Sequence, residues 1–297
     1  MTKVRFRHRL EYAAFRTVIA VANAMPEVVA YGIVAAIGRL FFRLSKRRQG
    51  IALRMLRNAF PNRGDADLLR VGRIATGNIF KVGLDMMRLS SIDRERQRDR
   101  FDFREFEQKL PPPPFLGVTA HLGSWEVAAV GMAQFAGSAD VVVQTFRNPL
   151  VQGFLERTRG RAGLTLHPRR GGIRGLARAL EKGGVGLQAV DQNQRLRGLV
   201  VPFSGELART GRAAATLAVR KGYPVAVGAT VRVGTGFRFK GLIVDVLRVE
   251  PSGDRERDVE HLVREINARL EGLVLQYPEQ YLWIHDRYRT RPPQPEP

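Results

Sequence analysis

The chain has 297 residues, enough for one large domain or for one domain with a short appendage. Hydrophobic residues make up 44% of it, which excludes wholesale disorder, and the absence of cysteine excludes a disulfide scaffold, a thiolate zinc site and a cysteine nucleophile. There are 49 lysines and arginines against 28 aspartates and glutamates, giving a formal charge of +21. Such a charge attracts nucleic acid, an anionic membrane face or acidic substrates.

The most apolar stretch of the chain is residues 13–38, close to the N-terminus. Residues 17–38 would form a helix of about 33 Å, long enough for a hydrocarbon core of about 30 Å. Pro26 and Glu27 interrupt this stretch, which favours two shorter helices that meet at Pro26 and lie in the membrane interface. Basic residues flank the stretch on both sides, so the positive-inside rule gives no orientation. A spanning helix and a buried core helix are the alternatives.

A helical pattern continues over residues 51–89, with a turn at Pro61, Asn62 and Gly64. Four prolines at residues 111–114 form a stiff spacer. Around Arg100 the sequence pattern changes from helical segments to alternating strands and helices. We therefore divide the chain into a helical, membrane-associating region, residues 1–100, and an α/β domain, residues 101–297.

Strands and helices alternate through the second region. The pattern predicts strands at residues 115–120, 141–145, 164–166, 185–190, 224–233 and 237–249. It predicts helices at residues 125–135, 150–162, 173–181 and 212–220, and a last long helix with an apolar stripe over residues 259–273. This alternation indicates an α/β fold with a mixed, mostly parallel sheet flanked by helices, its last two strands joined as a hairpin.

One segment carries chemistry. His121 lies in the turn after a predicted strand, and Glu126 follows in the first turn of the next helix. A carboxylate in that position can hold the imidazole in one tautomer, Gly123 allows close backbone approach, and the free amides of the helix start can stabilise an oxyanion. A positioned histidine without an adjacent nucleophile indicates a general base that acts on a substrate hydroxyl. A purely structural histidine is the alternative, because the spacing alone is a weak signal.

This segment resembles the His-x4-Asp/Glu motif of the lysophospholipid acyltransferase superfamily. The whole chain resembles the lipid A biosynthesis acyltransferase branch, whose His-Phe-Gly-Asn-Trp-Glu reads HLGSWE at residues 121–126. The family's Asp-Gln element normally continues with Gly and Pro, whereas Asn193 and Gln194 follow here, which leaves the acceptor open. The other matching segments are residues 48–61, 146–149, 159–163, 191–192, 201–205 and, most specifically, 277–292.

The resemblance implies a glycerolipid acyltransferase-like fold and the transfer of an acyl chain from a thioester donor to a hydroxyl of a lipid A precursor. His121 would take the hydroxyl proton and Glu126 would orient His121. Arg147 and Arg159 would hold phosphate or position the loop around the site, and Asp191 would pair with one of these arginines. No metal or other cofactor is expected, because the thioester of acyl carrier protein or of coenzyme A is a co-substrate.

The expected partners are acyl carrier protein, an anionic lipid acceptor and a membrane surface, but not nucleic acid. The expected location is the inner membrane, with the catalytic domain facing the cytoplasm. Two alternatives remain: the same chemistry on a glycerolipid, glycolipid or hydroxylated lipid, and a basic non-catalytic binding protein. The sequence has no helix-turn-helix, RNA-recognition or zinc pattern. His285, within the C-terminal signature, is interpreted as structural.

Overall fold

The computed structural model describes residues 4–89, 100–194 and 198–290. Its N-terminal part consists of four helices: α1 (Phe6–Ala24), α2 (Glu27–Leu44), α3 (Lys46–Ala59) and α4 (Asp65–Leu89). The break between α1 and α2 falls at Pro26, whose missing amide cannot continue the helix, as the sequence predicts. No single helix in these ranges has the length and hydropathy to cross a membrane. Only α2 and α3 taken together do so, and they are bent by 93°.

A seven-stranded sheet follows, in the order β1-β9-β8-β2-β5-β3-β4. Its neighbouring strands run parallel, apart from the antiparallel hairpin of β8 and β9. The α/β class with a mostly parallel sheet is thus confirmed. The strands of this sheet are β1 (Phe101–Asp102), β2 (Phe115–Thr119), β3 (Ala139–Val143), β4 (Leu164–Pro168), β5 (Val185–Ala189), β8 (Val225–Arg232) and β9 (Phe239–Leu247).

Helices cover both faces of the sheet, because each face carries buried aliphatic side chains that need apolar neighbours. Over residues 100–194 and 198–290, the helices are α5 (Arg104–Lys109), α6 (Trp125–Ala136), α7 (Pro149–Arg161), α8 (Gly172–Glu181), α9 (Ala213–Lys221) and α10 (Arg255–Gln276). A 3-10 turn, Pro278–Gln280, ends this series.

A second, two-stranded sheet was not predicted. It is the antiparallel hairpin of β6 (Gly198–Phe203) and β7 (Glu206–Gly211), whose turn places Ser204 and Gly205 at positive φ. Asn267 of α10 anchors it by donating to the carbonyl of Pro202 and to the Thr210 hydroxyl. The hairpin therefore belongs to the packed body of the protein, although it pairs with no strand of the main sheet.

The N-terminal helices are tied to the sheet by a buried polar cluster. Asp85 of α4 accepts from the Tyr31 hydroxyl of α2 at 2.6 Å and from the Arg232 guanidinium of β8 at 2.6 Å. All three side chains are buried, so α2 and α4 have a fixed place on the α/β part. Whether residue 100 divides two domains stays a prediction.

The outer faces of α1 and α2 are apolar yet exposed, and we call them the apolar face. Its large side chains are Phe6, Leu10, Val18 and Val21 on α1, and Val28, Val29, Ile33, Ile37, Leu40, Phe41 and Leu44 on α2.

Candidate active site

The site lies at the carboxyl edge of the sheet, where β2 and β5 end side by side. These two strands are parallel, and Thr119 of β2 pairs with Ala189 of β5. His121 and Asp191 each follow two residues later, so the register brings them together although 70 positions separate them. Neighbouring parallel strands of such a sheet commonly place functional side chains at this edge.

Asp191 holds His121 through two contacts. One carboxylate oxygen, Oδ1, lies 2.7 Å from Nδ1 of the ring, and the other, Oδ2, accepts the backbone N–H of His121 at 3.0 Å. The Asp191 side chain is 2% exposed and that of His121 is 18% exposed. The carboxylate therefore keeps the proton on Nδ1 and leaves the Nε2 lone pair as the basic site.

The charges of the pair are matched. Burial opposes protonation of His121, but the Asp191 charge and hydrogen bond, with a smaller contribution from Glu126, raise its pKa above the ordinary value of 6.5. Burial likewise opposes ionisation of Asp191, yet His121 and then Arg287 lower its pKa to about 2. The carboxylate stays ionised at neutral pH and stabilises the imidazolium that forms when Nε2 takes a proton.

Glu126 has a different partner from the one expected. Both of its oxygens accept from Arg159 of α7, at 2.9 Å from Nε and at 2.6 Å from Nη2, in a bidentate ion pair that is about nine-tenths buried. The described residues contain no hydrogen bond between Glu126 and His121. The carboxylate in contact with the His121 ring is thus that of Asp191, and the charge of Glu126 makes a smaller contribution to raising the His121 pKa.

The reason is geometric. Glu126 lies in the first turn of α6, whereas His121 precedes that helix and faces the end of β5. Asp191 is consequently engaged with His121 rather than with Arg147 or Arg159, contrary to expectation. Arg147 is exposed on the loop between β3 and α7 and makes no ion pair among the described residues. The catalytic role of Glu126 and the binding roles of both arginines stay predictions.

The amides around the start of α6 divide into two groups. Those of Gly123 and Ser124 donate to the carbonyls of Gln280 and Thr230, so neither is free for an oxyanion. Gly123 has a positive φ, and a Cβ there would lie 2.1 Å from the Thr230 carbonyl oxygen, so this close approach requires glycine. No hydrogen bond from the amides of residues 125–127, in the first turn of α6, is found within the described residues, as is usual for the first turn of a helix.

A cavity of about 360 Å³ opens beside His121. It runs between α6 and the sheet, from the carboxyl ends of the strands near Thr119 to their amino ends near Leu164 and Ala226. Glu126 and Arg159 line it near the histidine, and the remaining lining is mostly aliphatic. Such a cavity fits a long, apolar group whose reactive end lies at His121.

The segment that follows α10, residues 277–290, is hydrogen-bonded to the turn that carries His121, and we call it the clasp. The Leu282 amide donates to the His121 carbonyl at 3.1 Å, and the Gly123 amide donates to the Gln280 carbonyl at 3.0 Å. Arg287 is fully buried and donates to Thr210 at 3.0 Å. The strong match of this segment to a family signature was the only signal in the sequence that it serves the site.

Sequence reasoning assigned no role to Gln192. Its Nε2 lies 3.3 Å from Nε2 of His121, at the atom that must accept a proton. The described residues include no group of three or more histidine, cysteine, aspartate or glutamate side chains that could hold a metal ion.

A His–Asp pair beside an apolar cavity can activate a hydroxyl for attack on an acyl group whose chain lies in that cavity. The chain belongs to the bacterial lipid A biosynthesis acyltransferase family, whose profile matches residues 2–290, and it is an acyltransferase. It is similar to the lipid A biosynthesis lauroyltransferase of Escherichia coli K12, with 27% identity over 90% of this chain and 88% of the relative. It is also similar to the lipid A biosynthesis myristoyltransferase of the same organism, with 24% identity over 97% and 90% of the two chains.

Proposed function

We propose that this acyltransferase moves a fatty acyl chain from the thioester of acyl carrier protein to a hydroxyl of a lipid A precursor at the inner membrane. The observation that carries the proposal is the basic Nε2 of His121, held by Asp191 at the mouth of the apolar cavity. Family membership and the two relatives support the choice of acceptor.

The chemistry follows from the pair. The acceptor hydroxyl donates its proton to Nε2 of His121 while its oxygen attacks the thioester carbonyl carbon. The imidazolium is stabilised by Asp191, and the free amides of α6 stabilise the oxyanion of the tetrahedral intermediate. When the carbonyl re-forms, the carbon–sulfur bond breaks and His121 returns the proton to the leaving thiolate. The products are an ester and a free thiol.

The cavity suits the acyl chain of the donor. Its apolar lining replaces water around the methylene groups, each worth about 0.8 kcal/mol when buried. The reactive carbonyl would then lie near His121, and the chain would extend towards Leu164 and Ala226. The length of the cavity would limit the acyl chain that fits.

Charge supports the choice of partners. The +21 protein attracts phosphate groups of the acceptor, an acidic carrier protein and an anionic lipid surface. Arg147 is exposed beside Phe146, which lines the cavity, so its guanidinium is free to bind an acceptor phosphate. Arg159 is occupied by Glu126, and we assign it to positioning the wall of the cavity.

The apolar face supports membrane association. Its side chains project from two adjacent helices, and arginines precede and follow them in the chain. A helix pair of this kind binds in the interface plane, with apolar side chains among the acyl chains and basic ones at the headgroups. The catalytic part would face the cytoplasm, where the thioester donor is made.

The test uses membranes that contain the protein, acyl carrier protein loaded with a labelled acyl chain, and a lipid A precursor. Mass spectrometry would detect one added acyl group, whose mass gives the chain length. The His121→Ala variant, checked for folding by circular dichroism, is the control. Addition that persists in this variant contradicts the mechanism. No addition by folded wild-type protein, with acyl carrier protein or coenzyme A as donor, contradicts the proposed acceptor.

A further inference from the structure

His285 belongs to the clasp and faces the turn that carries Asp191. Its Nε2 accepts the backbone N–H of Asn193 at 3.2 Å. Asn193 is two residues beyond Asp191 and one beyond Gln192, the two side chains that contact opposite nitrogens of the His121 ring. Within the described residues, His285 does not line the cavity and makes no hydrogen bond to the His121 ring.

Thr290 makes two further contacts with the same residue. The side-chain amide of Asn193 donates to the Thr290 hydroxyl at 2.9 Å. The backbone amide of Thr290 donates to the side-chain oxygen of Asn193, Oδ1, at 3.4 Å. The clasp therefore binds Asn193 through one backbone and two side-chain hydrogen bonds. A loop held at its first residue by His121 and at its third by the clasp has little freedom at the residue between them.

The bond from Asn193 to His285 requires a neutral ring, because a protonated imidazole has no lone pair at Nε2. Burial lowers the pKa of His285, which keeps the ring neutral. The charged groups that act on it are Asp191, His121, Arg287 and Asp286. His285 is thus an acceptor over the pH range in which His121 titrates.

We propose that His285 is a positioning residue, whose acceptor nitrogen fixes the 191–193 turn so that Asp191 stays against Nδ1 of His121 and Gln192 stays beside Nε2. This inference rests on the proposed function only through the activity assay, because the geometry of the His–Asp pair has a readout of its own. Loss of the acceptor lets the turn move, which weakens the Asp191 contact. The pKa of His121 then falls, since burial continues to oppose its charge.

Two substitutions of His285 distinguish the effect of the hydrogen-bond acceptor from the effect of losing the ring. In His285→Gln, the side-chain oxygen reaches about as far as Nε2 and accepts the Asn193 N–H. In His285→Asn, the same amide group ends near the position of Nδ1 and falls short. Both variants are polar and neutral, so they differ mainly in reach.

The first readout is the titration of His121, followed by NMR of ring-labelled histidines in detergent. The protein has five histidines, and the His121→Ala spectrum assigns the relevant signal. We expect wild type and His285→Gln to share a raised pKa and His285→Asn to show a lower one. An unshifted pKa in His285→Asn, or an equal fall in both variants, overturns the proposal. This readout needs no substrate, so it stands even if the proposed reaction fails.

The second readout is turnover. We expect kcat of His285→Asn to fall between about tenfold and about a hundredfold, with little change in KM, because a displacement of the dyad by a fraction of an ångström is costly. The acid limb of its pH profile should shift to lower pH, and His285→Gln should restore both. If His285→Asn does not fold, Thr290→Val is used instead. It removes the hydroxyl that accepts from the Asn193 side chain and should lower the His121 pKa by a smaller amount. An unchanged titration in that folded variant overturns the proposal.

Discussion

The carboxyl edge of the sheet and the N-terminal helices differ in which side chains they bury and which they expose. At the edge, Asp191 and Arg287 are charged yet buried; Asp191 accepts a hydrogen bond from His121, and Arg287 donates one to Thr210, both distant in the chain. On α2, Ile33 and Leu44 are apolar yet exposed, at 44% and 72%. Buried charge is costly and persists where geometry must be fixed, whereas an exposed apolar face marks a surface meant for another apolar phase. Under the proposed function, the sheet edge would serve the chemistry and the N-terminal helices would serve membrane binding.

The largest effect should come from His121→Ala. Loss of the base removes about two to four orders of magnitude of rate while the apolar face is untouched. Measured on the same preparation, acyl transfer should therefore be lost while vesicle co-sedimentation stays at the wild-type level. Loss of vesicle binding in this variant would show that the two regions are not independent.

Asp191→Asn and Glu126→Gln compare the two carboxylates. We expect Asp191→Asn to reduce kcat about a hundredfold, because the ring loses its tautomer control. Activity needs neutral His121, so it is lost as the pH falls through the pKa of that ring. Asp191 raises this pKa, hence the acid limb of the pH profile should move to lower pH in Asp191→Asn. Glu126 contributes less, so Glu126→Gln should shift the limb less. A larger shift in Glu126→Gln would return the orienting role to that residue.

Gly117→Ala probes the cavity. The added methyl would lie 2.6 Å from Cδ2 of Leu187, which would have to move into the cavity. We expect the rate with the longest accepted acyl donor to fall on the order of tenfold, since one methylene in an apolar pocket is worth about 1–3 kcal/mol. Rates with shorter donors should change little and serve as the internal control. An equal loss for all donors would mean that the chain does not occupy this cavity.

The smallest effect is expected on the apolar face. Ile33→Ser should weaken binding to anionic vesicles about fivefold, corresponding to about 1 kcal/mol of lost apolar burial. Val244, on β9, is exposed to nearly the same degree, at 45%, so Val244→Ser is the matched control. Equal weakening of vesicle binding in both variants would contradict binding through the apolar face. Neither substitution should alter the pH profile.

The order of strands and helices was predictable because each buried strand is a short apolar run bounded by turn residues. The break at Pro26 was equally visible. β1 has two residues and α5 has six, too short for a periodic pattern. The β6–β7 hairpin was missed because its turn, Ser204 and Gly205, forms the end of Val-Pro-Phe-Ser-Gly, which was noted as a motif rather than as a strand end followed by a turn.

The site was predictable only in part. His121 was found because a histidine between a strand and a helix has a local signature. The partner of His121 was not found. Its contact with Asp191 depends on β5 lying next to β2, and no local sequence pattern indicates which strands are neighbours in the sheet. The nearest acidic residue along the chain, Glu126, was assigned instead. The same limit hid His285, whose role appears only when the clasp and the 191–193 turn are seen together.

The position of the clasp also bears on how the enzyme is made. Residues 277–290 are translated after every strand and helix that they hold, and their amides, Arg287 and His285 complete the support of His121 and Asp191. While the chain is still on the ribosome, the N-terminal helices have already emerged and can bind lipid. The reactive edge is assembled only when synthesis reaches the clasp. Under the proposed function, membrane binding would therefore precede acyl transfer.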